Sequence, residues 1–370
     1  MSLTPFLLFS RYMDKVGIGF IGTGFARRVQ MPAFAACDGA RIVSVASGSI
    51  DNARTASEEF GAPHFSGDWR ETVAHPDVDL VCITTPPAMH REVTIAAIDA
   101  GKHVLCEKPM AMNVAEAEEM TAAAKSKPLL AILDHELRFQ PGRAQVRDLL
   151  RQGKIGKIRH AKTIFKASAR SAPDVPWNWW SDIEAGGGAL GAINSHIIDS
   201  LRWFLDTEIS TVICQLHTNI KDRPYNDTRR MVTTDDEANM LLRFTDREMT
   251  GDTTGLVSVS MAEGPEHLHR MEFYGELGVI RMDFDGSARI AMNGERQWTD
   301  LCLDLGPQFD GPIDPGFARA FWFFAPVIID ALKAGKTAIP AAATFADGLA
   351  IQRILDAARR SNAEGVSVSF

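Results

Sequence analysis

The stretch Val16–Arg27, V-G-I-G-F-I-G-T-G-F-A-R, sets the interpretation of the whole chain. An apolar run ends in glycine and is followed at once by a helix-like segment. Glycine at the first position of a G-x-G permits a tight turn, and glycine at the second lets the backbone approach a pyrophosphate at the helix N-terminus. Arg27 takes the place of the fingerprint's third glycine. Because the motif joins a first strand to a first helix, it predicts a dinucleotide site formed by Gly22, Thr23, Gly24, Phe25, Ala26 and Arg27.

Apolar runs and helix-like segments alternate through the first third of the chain. Asp51 is expected to cap one helix, which Gly61 ends, and Asn113 is expected to cap another. The alternation predicts a Rossmann domain with a doubly wound parallel sheet over residues 15–134, after an extension at residues 1–14. The further strand-like runs are Arg41–Ala46, Leu80–Thr85, His103–Cys106 and Leu129–Leu133.

Residues 135–370 have a different pattern, with several strand-like runs that follow one another without helices between them. Such runs predict a large mixed or antiparallel sheet flanked by helices, in a second domain that binds substrate and forms oligomers. The last helix can pack back on the first domain. The runs are Lys157–Ala167, Thr211–His217, Glu237–Phe244, Leu256–Met261, His267–Tyr274 and Val279–Phe284, and the helices are Pro141–Gln152, Ala189–Leu205, Gly316–Ala334 and Thr344–Ser361.

Composition excludes several classes of protein. The chain of 370 residues is 45% hydrophobic and 23% charged, with a formal net charge of -8, which disfavours binding to nucleic acid. No apolar run approaches the ~20 residues of a membrane span, and no signal peptide is recognisable. Five scattered cysteines without metal-ligand spacing predict no metal site and fit free thiols in the cytoplasm.

The end of the second strand bears on the choice of cofactor. An acidic residue there would bind the 2′-hydroxyl of NAD, but this chain has Ser47-Gly48-Ser49, with Arg54 in the following helix. Two hydroxyls and a guanidinium can hold a 2′-phosphate, which favours NADP over NAD. The alternative is that Arg54 is only a solvated helix residue, which leaves NAD open.

Gly101–Pro109, G-K-H-V-L-C-E-K-P, with the preceding Thr84-Thr85-Pro86 and His90, resembles the Gfo/Idh/MocA family of oxidoreductases. Later motifs agree in order and spacing, and the resemblance extends from Val16 over nearly the whole chain: Arg138-Phe139-x-Pro141, Gly186-Gly187-Gly188-x-Leu190 and His196-x-x-Asp199. The resemblance implies an NAD(P)-dependent dehydrogenase or reductase that acts on a sugar, polyol or related cyclic carbinol. It also implies a homodimer or homotetramer built through the second domain's sheet.

The resemblance assigns roles to residues at matching positions. It implies that Thr85 and Pro86 line the nicotinamide side of the pocket, and that Glu107 and Lys108 lie where nicotinamide meets substrate. Lys108 would contact the reacting hydroxyl as proton acceptor or charge stabiliser, and His196 would face it from the second domain as a second acid or base. His90 is expected to pack near the cofactor. Because adjacent strand residues point to opposite faces, the side chains of Glu107 and Lys108 are not expected to meet.

One position departs from the family pattern. The family commonly carries Asp four residues before the histidine, and Ala192 stands there in this chain. His196 would therefore need another partner, for which Asp199 and Asn194 are candidates; its alternative role is that of a buried, hydrogen-bonded residue. His135 and Glu136 can reach the pocket or serve as a hinge.

The expected substrate site combines Lys108, Arg138, Trp179, Asn194 and His196. Aromatic rings suit stacking on sugar C–H faces, although core packing is the alternative for Trp177, Trp179 and Trp180. Two other functions remain open: a non-enzymatic regulator that binds NAD(P) and a partner protein, and a glycoside hydrolase with tightly bound NAD that oxidises and re-reduces its sugar. The sequence does not identify the substrate.

Overall fold

The computed structural model describes residues 15–309 and 314–370, so the predicted extension at residues 1–14 lies outside the described residues. A seven-stranded sheet forms the first part of the molecule, in the strand order β17-β6-β5-β4-β1-β2-β3. Its first six strands pair in parallel, and the late strand β17 pairs antiparallel with β6. The seven strands are β1 (Val16–Ile21), β2 (Ala40–Ala46), β3 (His64–Ser66), β4 (Leu80–Ile83), β5 (His103–Cys106), β6 (Ala131–Leu133) and β17 (Ala343–Thr344).

The second sheet has nine strands, in the order β16-β15-β14-β13-β7-β12-β11-β8-β18, and most of its pairs are antiparallel. The β7–β12 pair is parallel, so the sheet is mixed, as predicted. A separate hairpin joins β9 (Asp222–Tyr225) to β10 (Thr228–Met231), and the sequence analysis had no expectation for it. The nine strands are β7 (Ile158–Lys166), β8 (Ile209–His217), β11 (Glu237–Phe244), β12 (Thr250–Ser260), β13 (Leu268–Gly275), β14 (Gly278–Met282), β15 (Ala288–Met292), β16 (Thr299–Asp300) and β18 (Val368–Ser369).

The helices begin and end where short side chains and glycines permit. The expectation that Asp51 caps α2 was wrong: Ser49 is the cap, and its hydroxyl accepts a hydrogen bond from Asn52 N, while Asp51 lies in the first turn. Gly61 ends this helix and Asn113 caps α5, both as predicted. The helices are α1 (Met31–Ala35), α2 (Ile50–Phe60), α3 (Trp69–Ala74), α4 (His90–Asp99), α5 (Val114–Ser126), α6 (Pro141–Arg151), α7 (Ser195–Leu205), α8 (Phe317–Lys333) and α9 (Phe345–Glu364).

The C-terminal helices connect the two sheets. Helix α8 packs in the apolar core on one face of the first sheet, where Phe321 and Phe324 are fully buried. Helix α9 contacts both β8 of the second sheet and α5 of the first part. Strand β17, which lies between α8 and α9 in the sequence, pairs with β6 at the edge of the first sheet. The C-terminal segment is therefore part of the core of the first sheet.

Within the described residues, no helix combines the length and the apolar character needed to cross a membrane.

Candidate active site

The glycine turn after β1 leaves room for a ligand beside the backbone. Gly22 has a φ of +100°, and a side chain there would place its Cβ 2.5 Å from the carbonyl oxygen of Thr84. At Gly24, by contrast, no heavy atom lies within 4 Å of the position a Cβ would take. The next residues, Ala26–Gln30, form a short π-helical turn that leads into α1. This open backbone between a strand and a helix N-terminus fits the pyrophosphate of a dinucleotide.

A cleft of about 350 Å³ continues from this turn along the carboxyl ends of β1, β2 and β4. It is lined by residues that the sequence predicted for cofactor binding, and by Trp69, Met89 and Trp179, which were not predicted for this role. Trp69 begins α3 directly after β3, and the sequence analysis had not identified that short strand. The predicted residues in the cleft are Gly22, Thr23, Gly24, Ser47, Thr85 and Pro86.

Other predicted cofactor residues have protein partners. Arg27 forms an ion pair with Glu59, both of them about half exposed. Ser49 caps α2. Arg54 Nη1 lies 3.0 Å from Asp51 Oδ1, and its guanidinium lies 5.6 Å from the ring of Phe65. To bind a 2′-phosphate as predicted, Arg54 would have to give up its solvent-exposed ion pair with Asp51.

A second cavity, of about 410 Å³, adjoins the glycine turn and lies between the two sheets. Gly24, Thr84, Thr85, Glu107 and Lys108 line it from the first part of the molecule. The second part contributes Ala169, Arg170, Asn178, Trp179, Trp180, Ala192 and Met261.

Lys108 is mostly buried at this junction. Its Nζ donates to the carbonyl oxygen of Ala192 at 3.3 Å, and it lies 3.9 Å from Glu107 Oε2. The expectation that the two adjacent side chains point apart was wrong, because β5 ends at Cys106 and the strand alternation ends with it. Ala192 belongs to a π-helical turn (Leu190–Asn194), a geometry that often occurs at functional sites.

Four buried acidic and imidazole side chains lie behind Lys108: Glu107, Asp134, Glu136 and His196. Together with Lys108 we call them the Lys108 cluster. The amide of Gln30 donates to Glu107 Oε1 at 3.0 Å and to Asp134 Oδ2 at 2.7 Å. Burial, with the negative charges of its neighbours, raises the pKa of Asp134 well above its usual range, and burial also raises the pKa of Glu107.

Glu136 and His196 face each other in this cluster. Glu136 Oε2 lies 3.9 Å from His196 Nδ1, and neither Nδ1 nor either Glu136 carboxyl oxygen has a hydrogen-bond partner among the described residues. Burial, reinforced by the Glu107 charge, raises the pKa of Glu136 well above its usual range. Burial and the nearby Lys108 charge lower the pKa of His196 well below its usual range. Burial therefore favours the neutral form of both groups.

Asp199 and Asn194, which the sequence offered as partners for His196, do not pair with it in the structure. Asp199 accepts from Arg138 Nε at 2.9 Å and also pairs with Arg138 Nη2. We call this group the Arg138 cluster, and it consists of Arg138, Asp199, Arg202 and Asp347. Arg138 is thus held in an ion pair and does not line the cavity, so the structure gives no support to its predicted contact with substrate. Asn194 is fully buried, and its amide has no partner among the described residues.

His90 is fully buried on the cofactor side of the site. Its ring nitrogens lie 2.9 Å from the carbonyl oxygen of Thr85 and 3.0 Å from that of Pro109. Burial lowers the pKa of His90 to about 4, so the ring is neutral. It joins the loop after β4 to the loop after β5, which is a packing role next to the cofactor cleft.

The aromatic loop divides into two parts. Trp177 donates through Nε1 to the carbonyl oxygen of Met231 and stacks under Arg230, away from the cavity. Trp179 and Trp180 line the cavity, with their ring centroids 5.9 Å apart. Beside them lies Arg170, which no sequence motif had indicated.

Comparison with known proteins agrees with this geometry. Residues 16–135 match the family model described as "Oxidoreductase family, NAD-binding Rossmann fold", and residues 144–281 match the GFO/IDH/MocA C-terminal domain. An uncharacterized oxidoreductase of Synechocystis sp. is 32% identical over 271 residues, which cover 72% of this chain and 71% of that protein. Levoglucosan dehydrogenase of Pseudarthrobacter phenanthrenivorans is 29% identical over 297 residues, covering 74% and 75% of the two chains.

A solved structure agrees over a greater length. Levoglucosan dehydrogenase in complex with NADH and L-sorbose superposes with a TM-score of 0.86 at 27% identity, over 96% of this chain and 99% of that one. These similarities confirm the resemblance and the fold class that the sequence predicted. The chain belongs to the Gfo/Idh/MocA family of oxidoreductases, and it is an enzyme of the dehydrogenase or reductase type with an NAD-binding Rossmann domain.

Proposed function

We propose that this enzyme transfers a hydride between a nicotinamide cofactor and a carbinol or carbonyl carbon of a sugar, polyol or related cyclic substrate. The observation that carries the proposal is the position of Lys108. Its side chain lines one cavity together with Gly24 and Thr85 of the cofactor side and with Trp179 and Ala192 of the second domain. A substrate in that cavity would lie between the lysine and the cofactor.

The cofactor, when bound, supplies the hydride chemistry. Gly22, Thr23, Gly24, Ser47, Thr85 and Pro86 would hold it, because they line the cleft that continues from the glycine turn. Oxidation of a carbinol also removes a proton from oxygen. Lys108 Nζ is the group in the cavity that would contact this oxygen, exchange its proton and stabilise its negative charge. Trp179 and Trp180 offer aromatic faces to the C–H groups of a sugar ring.

Glu136 would compensate for the missing acidic residue at position 192. We assign it the role of a positioning residue that orients His196, because the two facing groups have no other hydrogen-bond partner among the described residues. A shift of about 1 Å would bring Glu136 Oε2 and His196 Nδ1 to hydrogen-bonding distance. His196 would then serve as the second acid or base, as the family resemblance implies, with its carboxylic partner supplied by the start of the second domain.

We propose that NADP is used at least as well as NAD. The loop Ser47-Gly48-Ser49 has no carboxylate to repel a 2′-phosphate, and Arg54 can exchange its exposed contact with Asp51 for one with phosphate. The NADH in the levoglucosan dehydrogenase complex supports use of NAD as well. Arg54→Ala should lower kcat/KM with NADP by about tenfold and leave kcat/KM with NAD unchanged. An equal effect on both would contradict the assignment.

The outer face of the second sheet supports assembly into a homodimer or homotetramer. Ile213 and Leu241 are paired across β8 and β11 and are about half exposed, and Leu256 pairs with Leu241 on β12. This row of apolar side chains lies on the face opposite the core. Leu241→Glu should lower the mass measured by light scattering, whereas Ile50→Glu, an exposed apolar position on the first domain, should not.

The test of the activity follows nicotinamide absorbance at saturating NADP, and separately NAD, against a panel of sugars, polyols and their oxidised forms. Turnover that is lost in Lys108→Ala would support the proposal. Binding of reduced cofactor without any turnover would contradict it and favour the regulator. Cofactor that copurifies and does not exchange, with hydrolysis of a glycoside, would instead favour the redox-assisted hydrolase.

A further inference from the structure

Arg170 lies in the substrate half of the cavity with its charge weakly compensated. Its residue is 8% exposed, and it follows β7 in the loop that faces Trp179 and Trp180. Nη2 donates to Ser181 Oγ at 2.6 Å, and the guanidinium lies 6.0 Å from the ring of Trp180. Nε and Nη1 have no hydrogen-bond partner in the described part of the chain.

The surroundings of this guanidinium lack an adequate counter-charge. No carboxylate oxygen of the described residues approaches it within ion-pair distance, whereas the neighbouring Arg223 adds a like charge. Burial, together with Arg223, lowers the pKa of Arg170 to about 10 despite the opposing effect of Asp236. The guanidinium borders the cavity and has no carboxylate partner there, so a ligand of opposite charge would offset the cost of withdrawing it from water.

The net charge of the cavity also favours an anionic ligand. Its ionisable residues are Arg28, Glu107, Lys108 and Arg170, so three cations face one carboxyl group. That carboxyl group, Glu107, is held by Gln30 and the backbone amide of Lys108 at the rear. Arg28 is exposed beside the glycine turn, where its Nε donates to the carbonyl oxygen of Gly24. Arg28 lies at the glycine turn of the cofactor cleft and Lys108 belongs to the Lys108 cluster. Arg170 is the remaining cation of the cavity, and neither group accounts for it.

We propose that the substrate is a sugar acid, whose carboxylate binds the Arg170 guanidinium while its reacting carbinol faces Lys108 Nζ. This inference rests on the proposed function, since it assigns the substrate class of the same cavity. Ser181 takes one N–H of Nη2, and the other N–H groups of the guanidinium remain to donate to a carboxylate. A carboxylate adds an opposite charge to these hydrogen bonds, which a neutral sugar does not. Trp179 and Trp180 would cover the ring between the two polar ends.

Binding measurements on the intact protein test the proposal without relying on turnover. Isothermal titration calorimetry, in the presence of saturating cofactor, would compare D-glucuronate, D-galacturonate and D-gluconate with their uncharged amides. We expect at least one acid to bind about tenfold or more tightly than its amide, because a charge-assisted pair is lost in the amide. The preference should shrink in Arg170→Gln, be partly kept in Arg170→Lys, which retains the charge but not the guanidinium donors, and be largely kept in Arg28→Gln, which removes a charge from the same cavity.

The outcomes separate this inference from the proposed function. Equal affinity for acid and amide in all three pairs, or a preference that survives in Arg170→Gln, would overturn the sugar-acid proposal even if a neutral sugar is turned over. Preferential binding of an acid without any hydride transfer would sustain the binding site and contradict the dehydrogenase. If Arg170→Gln fails to fold, the comparison of acid with amide in the unaltered protein still decides the question.

Discussion

His196 and Asp199 lie about one turn apart on α7, and the clusters to which they belong differ in how well their members are paired. Asp199 belongs to the Arg138 cluster, where each charge meets an opposite charge: Arg138 binds Asp199, and Asp347 contacts both Arg138 and Arg202. His196 belongs to the Lys108 cluster, where carboxyl oxygens and an imidazole nitrogen have no hydrogen-bond partner among the described residues.

The pKa values follow this difference. The guanidinium of Arg138 holds the pKa of Asp199 below its usual range despite complete burial. Burial dominates in the Lys108 cluster, raising the pKa of Glu136 and lowering that of His196. Groups whose pKa values are displaced by burial at a cavity are typical of catalytic sites, whereas matched ion pairs are typical of structural ones. We therefore expect Asp199 to serve stability and His196, three residues earlier on the same helix, to serve the reaction.

The largest expected effect separates the clusters by activity. Lys108→Ala should lower kcat by about 10²- to 10⁴-fold, because proton transfer and charge stabilisation at the reacting oxygen are lost. Its melting temperature should change little. Lys102→Ala is the matched control, since Lys102 Nζ bonds to the carbonyl oxygens of His75 and Val78 away from the cavity. Steady-state kinetics that show equal losses in both variants would refute the distinction.

The Arg138 cluster should show the opposite response. Asp199→Asn should lower the free energy of unfolding by about 3–5 kcal/mol, because it leaves buried Arg138 without its closest counter-charge. Urea unfolding monitored by fluorescence measures the loss. Asp206→Asn changes an exposed partner of Arg151 instead and should cost below about 1 kcal/mol. A stable Asp199→Asn variant with little activity would show that this cluster also has a catalytic role.

A smaller effect tests the contact between Glu136 and His196. Glu136→Gln should lower kcat by about tenfold with little change in KM, since an orienting hydrogen bond contributes about one kcal/mol or somewhat more. The pH profile of kcat should also change shape, which a purely structural role would not cause. The variant that combines Glu136→Gln with His196→Gln should lose no more activity than the less active of the two single variants. If the activity losses of the two single variants add in the double variant, Glu136 and His196 act independently, which would contradict the orienting role of Glu136.

The smallest expected effect is the pH dependence of stability, whose sign differs between the clusters. Asp199 has a lowered pKa, so its stabilisation is present above about pH 3.9 and is lost as pH falls through its folded-state pKa. The difference in stability between Asp199→Asn and the unaltered protein should therefore shrink in acid.

Glu136 has a raised pKa, so the folded protein retains its proton and loses stability as pH rises above about 4.3 toward the folded-state pKa. Charged neighbours that act on it are Glu107, Lys108 and Asp314. Glu136→Gln should thus gain stability relative to the unaltered protein as pH rises. Urea unfolding between pH 3 and 8 measures both trends, and a relative stability of Glu136→Gln that falls with rising pH would contradict the assignment.

Sequence by itself determined much of this protein. The spacing of the apolar runs is a local feature, and it predicted the parallel sheet and the mixed sheet. The glycine turn after β1 predicted where the cofactor would bind, and the motif Gly101–Pro109 predicted that Lys108 lies in the pocket. Helix limits were also predictable, because caps such as Asn113 act on the next three residues. The error at Asp51 came from two polar residues that compete for one cap position.

Tertiary structure alone decided the partners. His196 meets Glu136 rather than Asp199 because the turn after β6 and the start of α7 pack against each other, and no spacing along the chain encodes that approach. Arg138 turns to Asp199, and Arg170 enters the cavity from a loop without a motif. Burial of each group, and hence its pKa, depends on which distant segments exclude water from it, which is a property of the assembled fold and not of any local pattern.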